Sequence, residues 1–290
     1  MKGKEESSFC EQKEAKKLHP HANDECRSNS DGKWKKFFCF FLFTKKSALF
    51  LFLAFPAQAT PDIVSLNLCT DQYLLALAPE RAAAITFLAR DPALSAMQSA
   101  AQAVPTVRAD AEAVLALRPA LVLAAPWGAR ATLDALARRG VAVERIPPPT
   151  DFDAIRTTTR QLGARLGAPA RAEALLAEMD AILARPRSSQ GSAIALEPRG
   201  LTAGTGSLRD AVLRAAGLTN AADGRALSLE ALARAPAVLL VVAPPPAYPA
   251  RATEWLAHPA LAHHPRRALA PHLTICGGPW TAAAVAMLAP

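Results

Sequence analysis

Lysine is missing from most of this chain. All ten lysines lie between Lys2 and Lys46. A phosphate-binding P-loop, a Schiff-base enzyme and a Ser-Lys hydrolase each need that amine. Beyond Ala59 the chain carries 22 Arg against 18 Asp and Glu, and they are scattered singly with few aromatic residues between them. Because no basic stripe forms, the composition argues against nucleic-acid binding as well as against these enzyme classes.

Other catalytic patterns are also absent. The sequence has no Gly-x-Ser-x-Gly elbow and no paired carboxylates in loops. The segment AGTGSL, residues 203–208, lacks the third glycine of a dinucleotide turn, so it predicts a tight strand-to-helix turn whose amides could meet an anionic group of a ligand. His258, His263, His264 and His272 lack the helical i, i+4 spacing of zinc sites. The sequence therefore favours a binding protein without a metal or cofactor of its own.

Residues 1–59 are predicted to be a leader. Lys45 and Lys46 precede the apolar run SALFLFLAFP, residues 47–56, which has the length of a signal-peptide core, and AQA follows. We expect export to the periplasm with cleavage after Ala59. The apolar segment at 37–43 leaves open an uncleaved membrane anchor.

Cysteine use agrees with export. Removal of the leader leaves only Cys69 and Cys276 in the chain. An exported compartment permits a bridge between them, and the alternative is two small buried residues.

A repeated segment organises the rest of the chain. AEAVLALRPALVLAAPWG, residues 111–128, recurs as SLEALARAPAVLLVVAPPP, residues 228–246. In each copy a Glu opens a short helix, a Pro follows it, and an apolar strand comes next. Strands that alternate with helices predict parallel sheets with right-handed crossovers. The sequence thus predicts two similar α/β lobes.

The expected boundaries follow from these patterns. An N-terminal lobe is expected over residues 60–150, linking helices over 151–186, and a C-terminal lobe over 187–290. The second linking helix begins at Pro169 and ends before Pro186. Its position between the repeats predicts a rigid helical connection of the two lobes.

The ligand site is expected where strands end. In parallel sheets, ligands meet the loops beyond the carboxyl ends of the strands. Trp127 and Trp280, expected one on each lobe, suit a large, flat or partly apolar ligand, although each could instead plug the end of its lobe. Arg199 could pair with a ligand carboxylate or be solvated. The expected cleft residues are Asn67, Cys69, Thr70, Trp127, Arg199, Thr205, Tyr248, Cys276 and Trp280.

The order of these segments resembles a known family. IVSLNLCTDQYLLALAPERAAAIT, the two repeats, the intervening VAVERIPPP, HPAL and TICGGPW together resemble the periplasmic solute-binding proteins of the iron-siderophore and vitamin B12 class, over nearly all of 61–290. The resemblance implies two Rossmann-like lobes with parallel sheets joined by one long helix, the class III architecture. It also implies a monomer that carries a metal chelate, cobalamin or a ferric siderophore, to an ABC permease and its ATPase.

The resemblance further implies that Glu112 and Glu230 dock onto arginines of the permease, although both could simply favour a helix N-terminus. No Tyr or His matches a heme ligand. Few charges in the expected cleft and a Trp on each side favour a corrinoid over a carboxylate siderophore. Two alternatives remain open from the residues. One is a metal-dependent hydrolase or chelatase-like enzyme that uses His258, His263 or His264, and the other is a membrane-anchored sensor domain.

Overall fold

The computed structural model describes residues 60–245 and 251–289. They form two four-stranded sheets in which every pairing is parallel. The first sheet has the order β2-β1-β3-β4 and the second the order β6-β5-β7-β8. The strands are β1 Ile63–Ser65, β2 Ala82–Ala84, β3 Leu121–Ala124, β4 Ala142–Arg145, β5 Ser192–Leu196, β6 Thr219–Asn220, β7 Leu239–Val242 and β8 Arg266–Ala268. Since both sheets have the same topology, the predicted pair of similar α/β lobes is confirmed.

Helices cover the sheets and join them. They are α1 Leu68–Leu77, α2 Gln98–Ala101, α3 Ala111–Ala116, α4 Arg130–Arg138, α5 Phe152–Arg165, α6 Pro169–Leu183, α7 Leu208–Ala215, α8 Leu229–Arg234, α9 Arg251–Glu254 and α10 Ala282–Leu288. The segment VPTV, residues 104–107, has the composition of a short strand but forms one bridge, between Thr106 and Ile85. No helix within the described ranges is both long and apolar enough to cross a bilayer.

The start of α1 differs from the sequence prediction. Thr70 and Asp71 are of residue types that the sequence favours as helix N-caps, but the helix begins at Leu68 and Asn67 is the cap, with its Oδ1 accepting from the Cys69 amide at 2.9 Å. The reason is that Thr70 and Asp71 are fully buried. Their oxygens bind neighbouring polar groups inside the lobe and are not available to the helix N-terminus.

Each sheet is packed on both faces, which explains why its central strands are continuous apolar runs. In the first lobe, Ile63 and Leu123 point into one core cluster, while Val64 and Val122 point into another. The second lobe repeats this arrangement, with Ala195 and Val241 in one cluster and Ile194 and Leu240 in the other. Each lobe therefore has its own core.

Helix α6 joins the two cores. Its 15 residues span roughly 22 Å at 1.5 Å per residue. Ala172 near its start packs in the first-lobe core, and Leu183 at its end packs against the second. Between them, Leu176 and Met179 are buried with Ile155 of α5 and Ala282 of α10. The predicted long connecting helix is therefore confirmed.

The C-terminal segment crosses back to the first lobe. Cys276 is fully buried in the first-lobe core and forms a disulfide with Cys69, with a Cα to Cα distance of 5.1 Å. The Trp280 ring lies 5.3 Å from the Tyr73 ring, and its Nε1 donates to the Cys276 carbonyl. The expectation that Cys276 and Trp280 belong to the second lobe is corrected by these contacts. Gly277 permits the crossing, since a Cβ there would lie only 3.0 Å from the Pro149 carbonyl oxygen.

Candidate ligand-binding cleft

The carboxyl ends of the two sheets open on a common floor. Cys69, in the turn of α1 that follows β1, is bonded to Cys276. Two residues before Cys276, the Thr274 hydroxyl accepts a hydrogen bond from Arg209 Nε of the second lobe at 3.3 Å. The short segment 274–276 therefore connects the two strand-end regions, and Ile275 is its exposed residue, where a ligand between the lobes could touch it.

Two exposed aromatic side chains stand on the first-lobe rim. Phe87 follows β2 and is 69% exposed, and Trp127 follows β3 and is 64% exposed. Because β1 lies between these strands, the two strand ends are about 10 Å apart. Large apolar side chains left in water at one edge of a lobe are typical of a binding surface. This pair can contact a flat, largely apolar ligand.

A recess adjoins Trp127 at the ends of β3 and β4. Its volume is about 510 Å³, and its charged lining residues are Arg130, Asp134 and Arg145. Asp134 lies 3.3 Å from Arg145 and 3.9 Å from Arg130. All three side chains are largely exposed, so the pairs are weak and the recess has a small excess of positive charge.

A buried carboxyl supports the rim from below. Asp71 Oδ2 accepts hydrogen bonds from the Thr86 amide at 3.2 Å and the Thr86 hydroxyl at 2.5 Å. Its other oxygen has no partner within the described residues. Burial raises the pKa of Asp71 to about 7, against the opposing effect of the nearby Ser65 hydroxyl and of the hydrogen bonds from Thr86. Asp71 thus fixes the turn that carries Phe87.

The second lobe has a smaller recess at the ends of β5, β7 and β8. Its volume is about 240 Å³, and most of the described lining is apolar. Arg209 and Glu197 are its charged lining residues and form an ion pair. Burial lowers the pKa of Arg209, yet an arginine remains protonated in a protein. The recess thus presents a paired cation and anion within an apolar wall.

The structure brings some of the predicted cleft residues together and separates others. Asn67 and Cys69 lie half-buried at the floor, whereas Thr70 and Cys276 are fully buried beneath it, and the two cysteine sulfurs are bonded to each other. Arg199 is exposed on the turn after β5, with a φ of 63°, next to the second-lobe recess but not in its lining. Tyr248 lies outside the described residues.

Thr205 and Trp280 lie elsewhere. Thr205 lines a separate recess beside β6, together with Asp210 and Asn220. Trp280 lines another one, against Met179 and Ile182 of α6. The structure does not bring either residue together with Trp127.

Two residues of the cleft were missed from the sequence. Phe87 could have been found, because it directly follows AAAIT, residues 82–86, an apolar run typical of a strand, and so stands at a carboxyl end. Arg209 lies in the first turn of helix α7. Its contact with Thr274, 65 positions further along the chain, gives no local signal.

His263 and His264 stabilise the loop before β7 through hydrogen bonds to backbone groups. His264 is buried, with Nε2 donating to the Leu232 carbonyl at 2.9 Å and Nδ1 accepting from the Val238 amide at 3.2 Å. His263 Nε2 donates to the Ala235 carbonyl at 3.2 Å. The described part of the chain holds no group of three or more residues that could bind a metal. These contacts account for His263 and His264 as supports of the loop before β7.

Glu112 and Glu230 occupy equivalent places. Each lies exposed in the first turn of the helix that precedes the third strand of its lobe, α3 before β3 and α8 before β7. Asp110 and Ser228 cap these helices in the same way. Hydrogen bonds at the helix start lower the pKa of Glu230. Because a crossover helix runs antiparallel to its strands, both glutamates lie toward the carboxyl edge, where the cleft opens.

Comparisons with known proteins agree with this architecture. The sequence profile of a family described as "Periplasmic binding protein" matches residues 63–266. The chain is similar to a periplasmic heme binding protein from Pseudomonas aeruginosa, with 25% identity, a TM-score of 0.58 and coverage of 79% of this chain and 91% of the other.

Two further solved structures share the fold. They are the periplasmic heme binding protein HutB of Vibrio cholerae, with 20% identity, 79% and 97% coverage and a TM-score of 0.62, and an ABC-type Fe3+-hydroxamate transport system from Saccharomonospora viridis, with 19% identity, 79% and 91% coverage and a TM-score of 0.56. No curated protein sequence matches the chain significantly.

Proposed function

Because the chain belongs to the periplasmic binding protein family, we propose that it is the substrate-binding protein of an ABC importer. It acts as an exported monomer that captures a bulky metal chelate between its lobes and delivers the chelate to a permease and its ATPase. The observation that carries this proposal is the convergence of both strand-end regions on the floor at 274–276, with Phe87 and Trp127 exposed on the rim.

The chemistry of the cleft favours a tetrapyrrole-sized chelate, and a corrinoid first. Two aromatic side chains supply a broad apolar contact. The charged lining residues of the two recesses are Arg130, Asp134, Arg145, Glu197 and Arg209, and most of these are paired, which gives little net attraction for a polyanionic ferric siderophore. Heme is the second candidate, because the relative from Pseudomonas aeruginosa is a heme binding protein. No Tyr, His or Met lines either recess among the described residues. A chelate whose metal already carries its own axial ligands therefore fits better than heme, whose iron takes an axial ligand from the protein.

A fluorescence titration tests the ligand. Cyanocobalamin, hemin and ferric siderophores are each added to the protein, and quenching of tryptophan emission is followed. We expect saturable binding of cyanocobalamin, and an affinity about tenfold or more weaker in Trp127→Ala, because a central aromatic contact is lost. For this variant the binding is measured by equilibrium dialysis.

Leu117→Ala is the matched control. Leu117 is also an exposed apolar residue, but it ends α3 at the opposite edge of the lobe, so its loss should leave the affinity unchanged. Failure of every tested chelate to bind would refute the proposed ligand class.

The permease contact is the second part of the proposal. Glu112 and Glu230 supply two separated surface anions, one on each lobe and both on the cleft side. Such a pair sets orientation and encounter rate on a basic partner more than affinity. We expect Glu112→Arg with Glu230→Arg to abolish uptake of labelled ligand while ligand binding stays at the wild-type level.

Glu80→Arg with Glu178→Arg makes the same change in net charge at exposed sites and should preserve uptake. A loss of ligand affinity in the Glu112 and Glu230 variant would count against a docking role. Export is tested by N-terminal sequencing of the secreted protein, which should begin at Thr60. A retained leader would instead favour an anchored sensor domain.

A further inference from the structure

We propose that the Glu197 and Arg209 pair in the second-lobe recess recognises an uncharged amide arm of the ligand and discriminates against a carboxylate arm. This inference rests on the proposed function and narrows its ligand class to chelates that carry amide side arms.

The size of the recess indicates that it holds an arm rather than a whole ligand. Sites that enclose a drug-sized molecule have volumes of roughly 300–1,000 Å³, and this recess has about 240 Å³. It lies at the strand ends beside the floor, since Thr274 and Ile275 are part of its lining. A macrocycle that rests on the floor and the aromatic rim can therefore extend one substituent into the second lobe.

The hydrogen-bonding groups in the recess come as a donor and an acceptor side by side. Arg209 Nε donates to the Thr274 hydroxyl, and Nη1 pairs with Glu197 Oε1. Both residues line the recess, so the guanidinium supplies N–H donors and the carboxylate supplies oxygen acceptors at the same wall. A primary amide offers the complementary set, because its oxygen accepts and its nitrogen donates.

The charges of the pair explain why a carboxylate arm is disfavoured. An unpaired buried arginine would bind a carboxylate strongly. Here Glu197 already neutralises Arg209, and the Glu197 side chain is the more exposed of the two, at 39% against 20%. The oxygens of an entering carboxylate would face the oxygens of Glu197 with no proton between them. An amide avoids this, because its oxygen accepts from Arg209 and its nitrogen donates to Glu197. Like charges in such close contact are unfavourable for binding.

The experiment compares ligands that differ in a single arm. Cyanocobalamin and its peripheral monocarboxylic acids, in which one amide is hydrolysed, are titrated into the full chain, together with hemin, whose arms are carboxylates. We expect at least one monocarboxylic acid to bind about tenfold or more weakly than cyanocobalamin, the loss that follows when a buried hydrogen-bonding group is left unsatisfied.

Glu197→Gln gives the decisive variant. It keeps the shape of the side chain and removes the negative charge, so Arg209 becomes free to bind an anion. We expect the same monocarboxylic acid, and hemin, to gain affinity relative to cyanocobalamin by roughly the factor lost in the wild type. Glu80→Gln is the control, because it makes the same change in the exposed ion pair of Glu80 with Arg171 and should leave every ratio unchanged.

The outcomes separate this inference from the function on which it rests. If cyanocobalamin binds but all its monocarboxylic acids bind equally well, and Glu197→Gln leaves the ratios unchanged, the amide site is refuted while the corrinoid carrier stands. If only a ferric siderophore binds the wild type, the amide site is refuted while the chelate carrier stands, and if no tested chelate binds, both proposals fail. The wild-type comparison alone decides the question if Glu197→Gln does not fold.

Discussion

Asp71 makes the stability of this protein depend on pH in an unusual direction. Its pKa is raised by burial from the ordinary value of 3.8 to about 7. Between these two values the folded chain keeps a proton that the unfolded chain has released. The free energy of unfolding therefore falls by roughly 1.4 kcal/mol for each pH unit as the pH rises from about 4 to about 7, and the contribution is constant above that.

The size of the effect follows from the two pKa values. Their difference corresponds to roughly 4 kcal/mol of stability that is present at pH 4 and lost at pH 8. Asp71→Asn removes the titrating group while an oxygen can still accept from Thr86. It also places an NH2 group where Asp71 Oδ1 lacks a described partner, which costs about 1–3 kcal/mol at every pH. The comparison across pH cancels that constant cost.

Urea unfolding followed by circular dichroism measures this comparison at pH 4, 5, 6, 7 and 8 with the disulfide intact. We expect the stability of Asp71→Asn relative to the wild type to improve by roughly 4 kcal/mol from pH 4 to pH 8. Asp223→Asn is the control of opposite sign, because hydrogen bonds from Arg225 lower the pKa of the exposed Asp223. A difference between Asp71→Asn and wild type that stays the same at all pH values would refute the argument from burial.

Two further predictions concern the backbone around the cleft. Replacing both Cys69 and Cys276 by serine opens a loop of 207 residues. Because the unfolded chain gains conformational entropy, the unfolding free energy should fall by up to roughly 5 kcal/mol. Calorimetry measures this loss, and an unchanged Tm would contradict the prediction. Gly200→Ala should destabilise the protein by roughly 1–3 kcal/mol, because φ is +77° and the new Cβ would lie 2.1 Å from the Leu227 carbonyl oxygen. Gly206→Ala is the control, because Gly206 has a φ of +81° and an added Cβ would meet nothing within 4 Å, so this variant measures the cost of the positive φ alone. An equal loss of unfolding free energy in both variants would show that the contact with Leu227 is unimportant.

Patterns local to the chain predicted much of the fold. The apolar strands at 121–124 and 239–242 are preceded by capped helices with a Glu in the first turn, and this local order is repeated in both lobes. Since strands that alternate with helices in this way favour a parallel sheet, the sequence predicted the two-lobed α/β architecture. The same rule located Trp127 at a strand end. It would also have located Phe87 if it had been applied to the strand at residues 82–84.

What the sequence by itself determined is therefore the set of elements, the duplication and the helix α6 between the halves, because these depend on periodicity and capping over a few neighbouring residues. Only the tertiary structure decided where the C-terminal segment packs. Cys276 and Trp280 join the first-lobe core although they follow the last strand of the second. The pairing of Arg209 with Glu197 and Thr274 was also decided there. These contacts depend on long-range packing across the crossing point at Gly277, and no local pattern of residues encodes which lobe such a segment will cover.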